Sequence, residues 1–219
     1  LTLPAFAMAK YPITYSQYEA FVNAPDGLSD TRWWEELEQT QPDLGNQMWK
    51  INNHPREMVN WYDSISFCRW LSWKLGSGYA VDDIGSWLMR LPTEFEWEKA
   101  ARGTDGLKYP YGNNFDKDKS NTKESGINQT TPVTQYPQGA SPYGVLDMSG
   151  NVFEWCLTAP DNLQQDARKE NMRSDSSRVL RGGSWSDDHL NARAAARVHF
   201  NPLYRDNLFG FRLCRPPSL

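Results

Sequence analysis

At 219 residues, the chain is long enough for one domain with a sizeable core, at roughly 150 residues per domain. Its net charge of −4, from 23 basic and 27 acidic residues, offers no electrostatic case for binding nucleic acid or an anionic membrane. A mean hydropathy of −0.72 would read as disorder, but 10 Trp and 13% aromatic residues are used only by a packed interior.

No stretch reaches the roughly 18 apolar residues of a membrane span, and no leader pattern opens the sequence. Three cysteines, Cys68, Cys156 and Cys214, are too few for a disulfide scaffold, and one must stay unpaired. A globular domain in the cytoplasm is the expectation. Leu1–Met8 alternates like a strand. It opens without a Met start, as if cut from a longer polypeptide.

Thr14 and Gln17 form a capping box ahead of Tyr18, Phe21 and Val22, so a short helix is predicted to start near Ser16. Residues 24–53 are polar, with Trp33, Trp34 and Trp49 interspersed, and read as a long loop with one helical turn. Asn60 caps a second helix that carries Ile65, Cys68, Leu71 and Leu75 at helical spacing until Gly76 ends it. A third helix opens on Thr93-x-x-Glu96 and runs through Trp97, Ala100 and Ala101 to Gly103. Beyond residue 104, Gly, Pro, Asn and Ser punctuate short apolar runs, with strands expected at Val152–Cys156 and Arg178–Gly182. The pattern is that of an irregular α+β domain, with two or three helices around short antiparallel sheets and much loop.

Several ordered segments carry a resemblance. They include Lys10-Tyr11-Pro12-Ile13-Thr14, His54-Pro55, Val59-Asn60-Trp61, Phe67-Cys68-Arg69-Trp70-Leu71, Arg90-Leu91-Pro92-Thr93-Glu94-x-Glu96-Trp97 and Ala100-Ala101-Arg102-Gly103. The series continues with Tyr109-Pro110-Tyr111-Gly112, Gly150-Asn151-x-x-Glu154-Trp155, Arg181-Gly182-Gly183-Ser184-Trp185 and Gly210-Phe211-Arg212. In this order they resemble the formylglycine-generating-enzyme (sulfatase-modifying factor) domain, over residues 5–215. The resemblance implies a C-type-lectin-like fold for residues 1–219, with the family's first strand missing upstream of Leu1. Other domains of the same polypeptide are therefore expected. Fold alone does not specify function.

The resemblance also defines what catalysis would require. Oxidases of the family hold copper with a cysteine pair just after Arg-Gly-Gly-Ser-aromatic, because soft thiolates suit Cu(I). Ser186–Arg197 contains no cysteine, so no catalytic residue is assigned and formylglycine generation is not expected. Iron-dependent sulfoxide synthases of the family use three histidines. His54, His189 and His199 are all that this chain has, and His54 sits in an Asn-His-Pro turn far from the others. An oxygen-dependent metal oxidase and an inactive accessory domain stand as the alternatives to a non-catalytic binder.

The C-terminal segment Trp185–Phe211 resembles the variable region of diversity-generating retroelement proteins. Arg181, Arg193, Arg197, Arg205, Pro202 and Gly210 look like a fixed frame. Between them lie residue types that scatter from mutagenized asparagine codons. The expected ligand-binding surface comprises Ser186, Asp187, Asp188, His189, Leu190, Ala196, Val198, Phe200, Leu203, Tyr204, Asp206, Asn207 and Leu208. These positions are expected to point outward, with the arginines holding the loop in place of a regular ladder. The mix of aromatics and short polar groups resembles a paratope; an ordinary surface loop is the alternative. The partner would be a protein or small molecule, with neither nucleic acid nor membrane insertion expected.

The family also implies structural Ca²⁺. One stretch would offer Asp147, Glu154 and the Gly150 and Val152 carbonyls; the other would offer Asn121 and Ser125 with the Thr122 and Ile127 carbonyls, or Glu124 in place of Ser125. A capped turn and a solvated or Arg-paired Glu154 explain the first stretch equally well.

Overall fold

The computed structural model describes residues 3–76, 87–162, 167, 170–173 and 175–216. Three helices are each started by reciprocal capping. In α1 (Tyr15–Asn23), Gln17 Oε1 accepts from the Thr14 N–H at 2.9 Å while the Thr14 hydroxyl accepts from the Gln17 N–H. Helix α2 (Trp61–Lys74) uses Asn60 and Asp63 in the same way, at 2.8 and 2.9 Å, a box made of Asn and Asp that the Ser/Thr-x-x-Glu/Gln pattern does not register. Helix α3 (Glu94–Arg102) pairs Thr93 with Glu96, whose carboxylate also holds Arg90 through two bonds of 2.7 Å. Gly103 closes α3 at φ 67°, a left-handed angle that costs glycine little.

Strand β1 (Ala7–Met8) pairs antiparallel with β6 (Cys214–Arg215), bringing the two ends of the domain together. The second sheet contains β2 (Phe153–Trp155), β3 (Arg178–Arg181), β4 (Arg197–Phe200) and β5 (Phe209–Gly210), in the order β4-β3-β2-β5. All its pairings are antiparallel except β2 with β5. The sheet separates two apolar clusters. Leu180, Trp155 and Phe209 join Trp33, Trp34, Trp61 and Phe211 on one side, while Val179 and Cys156 join Trp97, Met148 and Ala194 on the other. Successive strand residues face opposite sides, which is why neighbours Val179 and Leu180 belong to different cores.

Residues 24–53 form the expected long loop with one helical turn, the 3-10 helix Thr31–Trp34. Trp33 and Trp34 on it are fully buried, and Arg69 of α2 donates to the Trp33 and Glu35 carbonyls at 2.9 Å. The arrangement satisfies main-chain acceptors that the irregular path would otherwise strand. One expectation is corrected: the segment after Arg193 does have a regular ladder, because β4 pairs with β3 over four residues.

Candidate ligand surface and cation sites

The outer surface is built on Phe209, which is 3% exposed and packs edge-on against Trp155 with ring centroids 5.5 Å apart. Phe200 and Tyr204 stack on each other at 5.4 Å and 14°, and both lean on Phe209, at 5.1 and 5.8 Å. They are 39% and 46% exposed, next to Leu203 at 42%. Two rings thus stand in solvent on a footing continuous with the core, ordered before any ligand arrives.

The 201–208 turn is tied to the start of α2. Trp61 N–H donates to the Pro202 carbonyl at 3.1 Å, Met58 N–H to Asp206 at 3.0 Å, and Leu208 N–H to the Asp206 carboxylate at 3.1 Å. Arg205 reaches back to Asp63 through Nε at 2.9 Å and Nη2 at 3.2 Å. Gly210 has no room for a side chain, since a Cβ there would meet the Arg56 carbonyl at 2.7 Å.

The remaining frame residues differ from one another. Arg181 is 1% exposed, donates to the Ala195 and Ala196 carbonyls at 3.0 and 2.6 Å, and pairs with Glu98. Arg197 is exposed on β4 and pairs with Glu94 at 3.1 Å, so it is no buried clamp; its strand position is held by the ladder itself. Arg193 is half-buried, and its Nε is buried without a hydrogen-bond partner.

The proposed surface residues fall into two zones joined at Trp185, which donates to the Asn207 carbonyl at 3.4 Å and packs edge-on against Trp49 at 5.4 Å. Ser186–Asn191 lies over the 109–125 loops. His189 shares Glu124 through its N–H and Nδ1 at 2.9 and 2.7 Å and tilts against Phe115, while Lys123 N–H donates to Asp187 at 2.9 Å. Asp188 caps the Leu190 N–H at 2.9 Å and stays exposed; Asp187 turns inward to Ser184 and Asn191, and burial pushes its carboxyl up.

Val198 and Leu208 are corrections. Both pack against the first core cluster instead of pointing outward, since strand alternation puts Val198 on the same face as Leu180. Asp206 and Asn207 are half-buried, and Ala196 contributes its carbonyl to Arg181. The structure also adds neighbours that the polar 24–53 stretch gave no hint of. Met48, 59% exposed, accepts from Asn207 Nδ2 at 3.4 Å, and Gly45 packs so closely that a Cβ would lie 2.9 Å from Arg205 Cδ. We expect Leu203→Ala and Asp188→Ala to change stability by about 0.5 kcal/mol. Leu208→Ala should cost about 2 kcal/mol or more; equal losses in urea melts would place all three in the core.

The two calcium stretches lie side by side, joined by the Asn121–Gly150 bridge and the Asn151 N–H bond to the Asn121 carbonyl at 2.7 Å. Gly150 has φ 83°, and a Cβ there would meet the Asn121 carbonyl at 2.2 Å. Asp147 is buried, accepts from Asn151 at 3.0 Å, and is pushed up to about 7 by burial. It fits a hard cation's donor set, which would repay that burial. Glu154 does not fit: Arg212 and the Trp97 indole engage both of its oxygens.

In the second stretch, Asn121 accepts from Ser125 at 3.0 Å, and the Ile127 N–H donates to Ser125 at 3.3 Å. Glu124 is no substitute ligand there. Against the cost of burial, bonds from the His189 N–H and the Thr122 hydroxyl hold it down to about 2. Among the described residues, no three His, Cys, Asp or Glu side chains gather as a metal-holding group.

The three thiols are buried and unpaired, each pushed up by burial, Cys214 to about 12. His54 meets the Thr130 hydroxyl at 2.9 Å, and His199 is exposed on β4. Among the described residues, no helix is long and apolar enough to cross a membrane.

The sulfatase-modifying factor enzyme 1-like domain matches residues 1–217. The chain belongs to that family. The chain is 31% identical to the serine/threonine-protein kinase Pkn1 of Chlamydia trachomatis serovar L2, over 98% of this chain but 34% of that protein. The chain thus spans about a third of that kinase's length. It is 32% identical to the inactive C-alpha-formylglycine-generating enzyme 2 of Bos taurus, over 89% of the chain and 64% of that protein. In structure it resembles Treponema denticola variable protein 1, with a TM-score of 0.73, 26% identity, and coverage of 99% of this chain and 86% of that one. The domain is therefore a formylglycine-generating-enzyme-type, C-type-lectin-like α+β scaffold.

Proposed function

We propose that this sulfatase-modifying-factor-like domain is a non-catalytic ligand-binding module, the variable protein of a diversity-generating retroelement. The observation that carries the reading is the pair of exposed, pre-stacked rings, Phe200 and Tyr204, set on Phe209 between residues held by Arg181, Arg205 and Gly210. Rigid aromatics at solvent-facing positions, with short polar neighbours such as Asn207 and Asp206, which accepts from the Tyr204 hydroxyl at 3.3 Å, are what a paratope uses. The likeness to a variable protein supports the same reading. So do the cysteines, because thiols held this far above neutrality are poor nucleophiles and poor metal ligands. The partner is a protein or small molecule, and other domains of the same polypeptide present the module. We place it in the cytoplasm.

Sequencing the same locus from many isolates tests this. Substitutions should concentrate in the codons for Ser186–Leu208 and spare those for Arg181, Arg205 and Gly210. A near-copy of these codons should lie beside a reverse transcriptase gene. Uniform drift across the domain, with no such copy, would leave only an ordinary surface loop.

Structural calcium at Asp147, aided by the Gly150 and Val152 carbonyls, belongs to the same proposal. Calcium at about 100 times its Kd should stabilise the fold by roughly 2.7 kcal/mol, a gain that chelator removes and that Asp147→Ala lacks. Melting curves unmoved by excess chelator would leave Asp147 as a capped turn.

A further inference from the structure

Three basic side chains between Trp185 and Phe211 are already engaged: Arg197 by Glu94, Arg205 by Asp63 and His189 by Glu124. The acids of the same segment are not. Among the described residues, Asp187, Asp188 and Asp206 take part in no ion pair. Asp206 is the one that stands beside the exposed rings. Its Oδ2 accepts from the Tyr204 hydroxyl at 3.3 Å and its Oδ1 from the Leu208 N–H at 3.1 Å. Both donors are neutral, so the carboxylate keeps its charge, and each oxygen keeps a lone pair for another donor. Nothing beneath compensates it. Glu57, 0% exposed, turns Oε1 to the Met48 and Trp49 N–H groups and leaves Oε2 without a partner. Burial pushes the Glu57 carboxyl up, and the charge of Asp206 adds to that rise.

Tyr204 offers the other half of a cation site. Phe200 covers one face of its ring at 5.4 Å and 14°, and Phe209 meets it edge-on at 5.8 Å. No further ring or cation lies against it among the described residues, and at 46% exposed its second face is open to solvent. The face of a tyrosine ring attracts a cation, and here the hydroxyl end of the ring is bonded to an unpaired carboxylate. A guanidinium suits this corner better than an ammonium, because it is planar, stacks on a ring and presents parallel donors to a carboxylate. The surroundings select a protein as its carrier. Leu203, 42% exposed, adjoins Tyr204, and Met48, 59% exposed, adjoins Asn207, so a partner's own apolar side chains have surface to cover.

We propose that the Phe200–Tyr204 surface receives an arginine side chain of a partner protein, its guanidinium stacked on the open face of Tyr204 and bonded to Asp206. This rests on the ligand-surface reading above and gives it a partner chemistry.

The probe is an acetylated, amidated pentapeptide with a central arginine between alanines and a leucine at each end, titrated into the full chain and followed by NMR. Its control carries citrulline, which keeps the shape of arginine and drops the charge. Shifts should move at Tyr204, Asp206 and Met48, and the citrulline peptide should bind about fivefold more weakly. Asp206→Asn, which keeps an acceptor for the Leu208 N–H, should lower the arginine peptide to the citrulline affinity with an unchanged melting temperature. Asp188→Asn should change neither peptide. Equal affinities of the two peptides for the parent chain, an arginine preference that survives Asp206→Asn, or absent binding would overturn the proposal. N-acetylarginine amide binding as tightly as the pentapeptide would make this a small-cation site and overturn the protein partner. Binding without charge preference that is lost in Tyr204→Ala would also overturn the arginine site, while leaving the aromatic ligand surface intact.

Discussion

Replacing Arg212 with alanine is expected to cost the fold about 3–5 kcal/mol, the penalty for removing one partner of a buried ion pair. Arg212 and Glu154 are both 0% exposed. Arg212 donates to Glu154 Oε2 through Nε at 2.5 Å and to Oε1 through Nη2 at 2.6 Å, and the Trp97 indole adds a third bond at 2.6 Å. The other guanidinium bonds reach the Ala9 and Leu146 carbonyls, at 3.0 and 2.9 Å, so one side chain joins the N-terminal segment, the 141–150 loop and β2. Truncation strands a carboxylate and several acceptors in a dry interior. Removing the charge as well, in Arg212→Met with Glu154→Gln, should recover part of the loss in urea unfolding. A melt for Arg212→Ala within 1 kcal/mol of the parent would mean that this network does not hold the domain together.

Arg205→Ala should have the next largest effect, about 3 kcal/mol, and it carries a pH signature. Burial raises the Asp63 carboxyl, and Arg205 opposes that rise. An acid whose folded pKa lies above its unfolded value takes up a proton on folding. Its stabilising contribution is therefore present at low pH and lost as pH climbs through the folded value. Without Arg205 the carboxyl rises further, so the variant should approach the parent near pH 4 and fall increasingly behind it toward neutrality. Asp63→Asn in the same background should flatten that dependence. A pH-independent deficit would show that Arg205 acts through packing against Gly45 rather than through its charge. The same variant should loosen the 201–208 turn and weaken ligand binding, whereas Tyr204→Ala should weaken binding with little loss of stability.

The helix starts were legible because capping joins residues three apart. Thr14 with Gln17 and Thr93 with Glu96 declare themselves locally, and Gly103 marks the end of α3. Family membership was legible for a related reason: ordered short motifs stand close to the elements they build. The aromatic types of the C-terminal segment were visible as well, and with them Tyr204 and Phe200 as candidate anchors.

What only the tertiary structure decided is which of those residues face solvent and which charges meet. Val198 and Leu208 look as exposable as Leu203 in one dimension, yet the β3–β4 register turns Val198 inward and the Asp206 turn tucks Leu208 against the core. Glu154 reads as a metal ligand until Arg212, 58 positions later, is brought against it. Arg205 finds Asp63 across 142 residues, and Met48 reaches Asn207 across 159. Periodicity and capping act within a turn or two of chain. The partner of a buried charge is set by how distant segments pack, because a desolvated charge takes whichever counter-charge the fold delivers to it.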